Sequence, residues 1–164
     1  MGTLTLIGKG GHGTDIAASL KGVDFDWVRH HRDRWDRRGD YILGINDPHM
    51  RAEVCAEIMI QDQKWVHPDA KVYGDSLIRS GAHVNYGVTM TRTDLGVWAT
   101  ISPGVTICGD VRIGNRTLIG AGATIGDRVT IGDDVTVGMG AVVLPETVIP
   151  DGETWVGVPA RKLR

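Results

Sequence analysis

From Leu95 to Trp155 an aliphatic or aromatic residue stands at every sixth position: Leu95, Ile101, Ile107, Ile113, Ile119, Ile125, Ile131, Val137, Val143, Ile149 and Trp155. Helices repeat every 3.6 residues and strands every two, so an uninterrupted period of six belongs to neither alone. Glycine follows the aliphatic residue at Gly96, Gly114, Gly120, Gly126, Gly132 and Gly138. Four places after the aliphatic residue come Val105, Val111, Ala123, Val129, Val135 and Ala141, all small or β-branched. This hexapeptide repeat predicts a solenoid in which each hexad forms one short strand and one turn. The aliphatic side chain points inward and the glycine permits the bend. Three hexads complete a coil.

The same pattern begins earlier, at Val66, Val72, Ile78, Val84 and Met90, but the next stop is Leu95 and not residue 96. A missing residue shifts the hydrophobic register unless it is lost from a turn. Met90 to Asp94 is therefore expected to form an irregular corner between two regular stretches.

A chain of 164 residues suits one domain with a small appendage. The net charge of −2 gives no global attraction for nucleic acid, and no apolar run approaches membrane-spanning length. The short apolar run at the N-terminus is interrupted by Gly8 to Gly13, unlike a secretory signal, which points to the cytoplasm. Cys55 and Cys108 are far apart and lack metal-ligand spacing, so both are expected to be free, buried thiols.

Residues 1–64 lack the hexad period and form a separate unit, with the solenoid over 65–164. Leu4, Leu6 and Ile7 make a short strand that runs into Gly8-Lys9-Gly10-Gly11-His12-Gly13 and then a helical stretch, Thr14 to Leu20. Further strands are predicted over Asp26 to Val28 and Tyr41 to Asn46, with a helix from Pro48 to about Ile58. The expected result is a truncated, Rossmann-like α/β unit with a parallel sheet. A glycine loop feeding a helix N-terminus presents free N–H groups to a phosphate. The segment is too short for a full dinucleotide domain, so a mononucleotide or nucleotide sugar fits it better. The basic stretch Arg29 to Arg38, containing Trp35, reads either as a solvated loop or as a cover for such an anionic ligand.

Taken in order, Gly8-Lys9-Gly10-Gly11-His12-Gly13, Tyr41-Ile42-Leu43-Gly44-Ile45-Asn46 with Arg51, Val66-His67-Pro68-Asp69-Ala70, the hexads and Gly157-Val158-Pro159-Ala160-Arg161-Lys162 resemble one family. It is that of the sugar acyltransferases of the bacillosamine and sialic-acid type. The resemblance implies a left-handed parallel β-helix behind a small nucleotide-sugar-binding domain. It also implies homotrimers with acetyl-CoA in the groove between neighbouring prisms. On this reading Gly10, Gly11, His12 and Asn46 contact the nucleotide sugar, and Thr100, Ala121 and Met139 contact CoA. A backbone N–H near Gly109 would polarise the thioester carbonyl. Arg161 and Lys162 either reach a CoA phosphate or are simply solvated.

Acyl transfer requires the acceptor's proton to be removed, and the family uses a histidine for this. The corresponding place here is Arg92, which stays protonated and cannot be a base. Thr93 replaces the family's acidic partner, with Asp94 next along. Substitute bases in the β-helix are His83, expected near a corner and projecting outward, together with Tyr86 and Asp94; an amine acceptor already neutral needs none. Two functions follow: an acetyl-CoA-dependent N- or O-acyltransferase of a nucleotide-linked amino sugar, or a degenerate member that binds without turnover. A prism-type zinc carbonic anhydrase is set aside and no metal is expected, because the β-helix offers only His67 and His83.

Overall fold

The computed structural model describes residues 4–7, 25–28, 41–43, 48 and 64–164. In the N-terminal part, β1 (Leu4–Ile7), β2 (Phe25–Val28) and β3 (Tyr41–Leu43) form a parallel sheet in the order β2-β1-β3. All three strands fall where the sequence placed them. Pro48 is helical, while the remainder of the expected helices, the glycine loop, the basic stretch and Cys55 lie outside the described residues.

From Trp65 onward the chain is a parallel β-solenoid of three faces. The first face stacks β4 (Trp65–Val66), β7 (His83–Val84), β10 (Thr100–Ile101), β13 (Leu118–Ile119), β16 (Thr136–Val137) and β19 (Thr154–Val156). The second stacks β5 (Lys71–Tyr73), β8 (Thr89–Thr91), β11 (Thr106–Ile107), β14 (Thr124–Ile125) and β17 (Val142–Val143). The third stacks β6 (Leu77–Ile78), β9 (Thr93–Leu95), β12 (Val111–Ile113), β15 (Thr130–Ile131) and β18 (Val148–Ile149). Antiparallel β20 (Arg161–Lys162) closes the C-terminal end against β19.

The hexad aliphatics fill the prism. Val84, Met90, Leu95, Ile101, Ile107, Ile119, Ile125 and Val137 are all buried, as are the small residues Val105, Val111, Ala123, Val129, Val135 and Ala141. Thr93 and Thr117 occupy inner positions equivalent to those of these small residues, Thr93 in register with Val111 and Thr117 one coil before Val135. Thr117 satisfies its hydroxyl by donating to the Gly132 carbonyl (2.8 Å), which removes the penalty of a buried polar group.

The missing residue is absorbed in the turn between β8 and β9. Met90 pairs with Ile107, and Thr93 with Val111, so two residues span the turn where the next coil uses three. Flanking strands keep their pairing and every inward residue stays inward.

Candidate active site

Three corners join the faces, and they are built differently. At the corner between second and third faces, Arg92, Asp110, Arg128 and Glu146 occupy equivalent turns with φ of 44°, 60°, 56° and 62°. Side chains tolerate this left-handed backbone here because each is held by a neighbour. Arg92 donates from Nε and Nη2 to the Asp110 carboxylate (2.8 and 3.1 Å), and Arg128 donates to Glu146 Oε1 (2.8 Å from Nη2). The corner between the third face and the next coil's first face carries a similar pair, Arg116–Asp134, at 2.6 Å.

The corner between first and second faces is bare. Its left-handed position is glycine in four successive coils, at Gly87, Gly104, Gly122 and Gly140. A Cβ added at Gly104, Gly122 or Gly140 would meet nothing within 4 Å. The other corners show that side chains can adopt this backbone, and here there is room for them. The absence of side chains leaves a smooth ridge bordered by Tyr86, Pro103, Ala121 and Met139, with Met139 82% exposed. Backbone bonds stack the ridge, with the Gly140 N–H donating to the Ala121 carbonyl (2.9 Å). Such a surface lets a flat or extended ligand approach the backbone closely.

The expected CoA contacts divide accordingly. Ala121 and Met139 lie one coil apart on the bare ridge, and Thr100 is buried in β10 on the adjoining first face. Gly109 is at the Arg92 corner, across the second face from Met139. Lys162 sits in β20, its ammonium 2.6 Å from Glu153 Oε1, and that bond draws the Glu153 carboxyl below its ordinary range.

Gly109 is not an open oxyanion donor. Its N–H donates to Asp127 Oδ1 at 2.9 Å. The same cap, a side-chain oxygen one coil ahead accepting a backbone N–H, recurs from Val97 to Asn115 (2.8 Å), Asn115 to Asp133 (2.7 Å) and Asp133 to Asp151 (2.8 Å). Above it lies the Arg92 guanidinium, with which a Cβ at Gly109 would collide. Arg92 also spans the coil below, where a Cβ at Gly74 would come within 2.8 Å of its Cγ. The expected donor is therefore already bonded, and the cover over it is the residue that replaces the expected histidine.

Arg92 and Asp94 share an open cleft of about 330 Å³, lined also by Asp75, Thr93, Asp110 and Arg112. It adjoins a second cleft of about 390 Å³ on the third face, with Asp94 and Arg112 common to both. Asp94 is bound on both oxygens by Arg79, through Nε (3.2 Å) and Nη2 (3.0 Å). The Asp110 carboxyl is pulled below its ordinary value by the hydrogen bond from Arg92, which in turn holds the guanidinium still more firmly protonated.

His83 is not at a corner. It belongs to β7, paired with Trp65 and Thr100 and next to inward-pointing Val84, and it is completely buried. Strand alternation turns it toward the outer side of the first face, which lies opposite the Arg92 corner of the triangular prism. His67 precedes the bare ridge, its ring 5.9 Å from that of Tyr86 and 5.6 Å from that of Trp65. Its Nδ1 accepts the Asp69 N–H at 3.1 Å. Cys108 is free as expected, but only half-buried.

Sequence reasoning missed Asp110, Asp127 and Arg79 as the groups that engage this corner. The recurrence of 92, 110, 128 and 146 at eighteen-residue intervals carries the signal for the first. Gly10, Gly11, His12 and Asn46 lie outside the described residues.

Comparison with known proteins bears on this arrangement. Residues 110–145 match the family described as the hexapeptide repeat of succinyl-transferase. No curated protein matches the chain in sequence. A variant of perosamine N-acetyltransferase from Caulobacter crescentus, solved with CoA and GDP-perosamine, superposes with a TM-score of 0.77 at 23% identity, over 100% of this chain and 98% of that one. The acetyltransferase domain of PglB from Neisseria gonorrhoeae, solved with acetyl coenzyme A, gives 0.71 at 22% identity, over 98% of each chain. WeeI from Acinetobacter baumannii gives 0.71 at 17%, over 98% of this chain and 99% of that one. The chain shares their fold. The likeness extends from the N-terminal sheet through the solenoid.

Proposed function

We propose that this protein is an acetyl-CoA-dependent acyltransferase whose acceptor is a nucleotide-linked amino sugar, acting as a homotrimer with CoA in the grooves between prisms. The observation that carries the reading is the bare ridge. Four coils of side-chain-free backbone, flanked by Ala121 and exposed Met139, suit the extended, amide-bearing arm of CoA. Support for the donor comes from two solved structures of the same fold that hold CoA or acetyl coenzyme A, and for the acceptor from the one that also holds GDP-perosamine.

The N-terminal sheet supports the acceptor side. In a parallel sheet ordered β2-β1-β3 the strand order reverses between β1 and β3, and ligands bind beyond the carboxyl ends of strands at such a point. Gly10, Gly11 and His12 follow β1 in sequence and Asn46 follows β3, so all four proposed contacts leave from those two strand ends. Thr100 and Lys162 border the CoA side in this reading.

Ala121→Trp tests the ridge without placing a new side chain on left-handed backbone. It should abolish the thermal shift produced by millimolar acetyl-CoA and leave the melting temperature of the free protein near wild type. An undiminished shift would exclude the ridge as the CoA track. The engaged state of Arg92, Asp110 and Gly109 favours a second reading, a binding protein without turnover, and acetyl-CoA binding with no transfer would select it.

A further inference from the structure

We infer that the cleft at the Arg92 corner receives a sugar bearing both an amine and a carboxylate, an amino-hexuronate, with Asp75 meeting the amine and Arg112 the carboxylate. The inference deepens the acyltransferase reading and rests on it. It starts from the shortened turn. Tyr73 is in register with Thr91 and Leu77 with Asp94, so the lower coil places three residues, Gly74, Asp75 and Ser76, opposite only Arg92 and Thr93. The coil above again has three residues in its turn, between Ile107 and Val111. A short turn between two longer ones leaves a notch. The cleft of about 330 Å³ is this notch, lined by Asp75 from the coil below, by Asp110 and Arg112 from the coil above, and by Arg92 and Thr93 of the short turn. Its size is at the lower end of small-molecule sites, roughly 300 to 1,000 Å³.

The charges around the notch are unevenly paired. Arg92 donates upward to Asp110, which leaves Asp75 in the coil below without it. Asp94 stands in register with Arg112, yet both of its oxygens are held by Arg79. Asp75 and Arg112 are therefore exposed charges of opposite sign on one cleft, and among the described residues neither has a hydrogen-bond or ion-pair partner. A ligand that complements both carries an N–H donor at one end and an anion at the other. Guanidinium holds a carboxylate through two parallel N–H donors, a geometry that fixes orientation as well as charge. In the acyltransferase reading the diphosphate belongs to the glycine loop, so the anion that meets Arg112 is on the sugar ring. A carboxylate beside the amine satisfies both walls of the notch. A methyl group in its place leaves Arg112 unmatched.

The test is calorimetry on the full-length chain in the presence of CoA. Ligands are UDP-, GDP- and dTDP-linked 4-amino-4-deoxyhexuronates, each beside the 4-amino-4,6-dideoxyhexose in which methyl replaces the carboxylate. The uronate should bind at least about 10-fold more tightly, the scale of a hydrogen bond to a charged group. Arg112→Gln should remove that preference while the dideoxyhexose affinity stays unchanged, and Arg112→Lys should restore part of it. Asp75→Asn should weaken both sugars, since both carry the amine. Equal wild-type affinity for the two sugars would overturn the inference, as would Asp75→Asn leaving both affinities unchanged. Equal loss of both in Arg112→Gln would overturn it too, by showing that Arg112 meets the diphosphate. A change of sedimentation in either variant would assign these charges to a second copy of the chain and overturn it likewise. Thiol release from acetyl-CoA separates this inference from the reading beneath it. A uronate preference in binding without transfer to either sugar overturns the acyltransferase reading and keeps the site; transfer to the dideoxyhexose as efficient as to the uronate keeps the reading and overturns the inference.

Discussion

Arg92 sits at φ 44°, a backbone region that L-residues enter reluctantly, in the one turn of the solenoid that is a residue short. It is retained there by a two-pronged bond to Asp110 and by the bare backbone of Gly74 and Gly109, across which its side chain lies. The Asp110 carboxyl titrates below its ordinary 3.8, chiefly because Arg92 donates to it. A carboxyl depressed on folding stabilises the protein fully above its unfolded pKa, and that contribution disappears as pH falls through the folded value. Asp110→Asn should accordingly lower the urea midpoint slightly at neutral pH, and the two proteins should converge as pH falls through the depressed value of the folded Asp110 carboxyl. Since both side chains are exposed, the neutral-pH difference should shrink further in high salt. A difference that persists unchanged in acid would show that Asp110 acts through packing and not through charge.

Single strands of the solenoid are two or three residues long and gain their stability from stacking in columns. Ile119 is wholly buried, pairs with Ile101 below and Val137 above, and lies in the middle of the prism. Ile119→Ala should cost about 2–5 kcal/mol in urea unfolding, since the parallel strands around it cannot collapse into the space. A value under about 1 kcal/mol would mean the column relaxes. These columns were legible in the sequence because an inward residue every sixth place is enforced by geometry at every coil. The shortened corner was legible for the same reason, as the one place where a lost residue spares the register. Corner chemistry was not. Which carboxylate caps which N–H is decided between residues eighteen apart, so Gly109 looked available until Asp127 was placed above it. His83 was misplaced because its position in the hexad was read as a corner, whereas it begins β7 in line with Thr100 and Leu118.

At the scale of the whole molecule, the two halves of the proposed chemistry occupy different corners of one prism. Ala121 and Met139 border the ridge between first and second faces, while Gly109, Arg92 and Asp94 belong to the second and third. One ligand touching both must cross the second face, whose outward row is Lys71, Thr89, Thr106, Thr124 and Val142, or bridge the ridge of one copy to the Arg92 corner of another. The second arrangement gives a use to exposed Tyr86 and Met139 on the ridge and to Leu77 and Val148 on the third face. Sedimentation should therefore find a trimer at about micromolar concentration, further stabilised by acetyl-CoA because a ligand shared between copies favours the assembled state by mass action. Dilution that dissociates the trimer should weaken acetyl-CoA binding in step. A monomer that binds acetyl-CoA as tightly as the assembled protein would exclude a shared groove and confine the ligand to the ridge and second face of one copy.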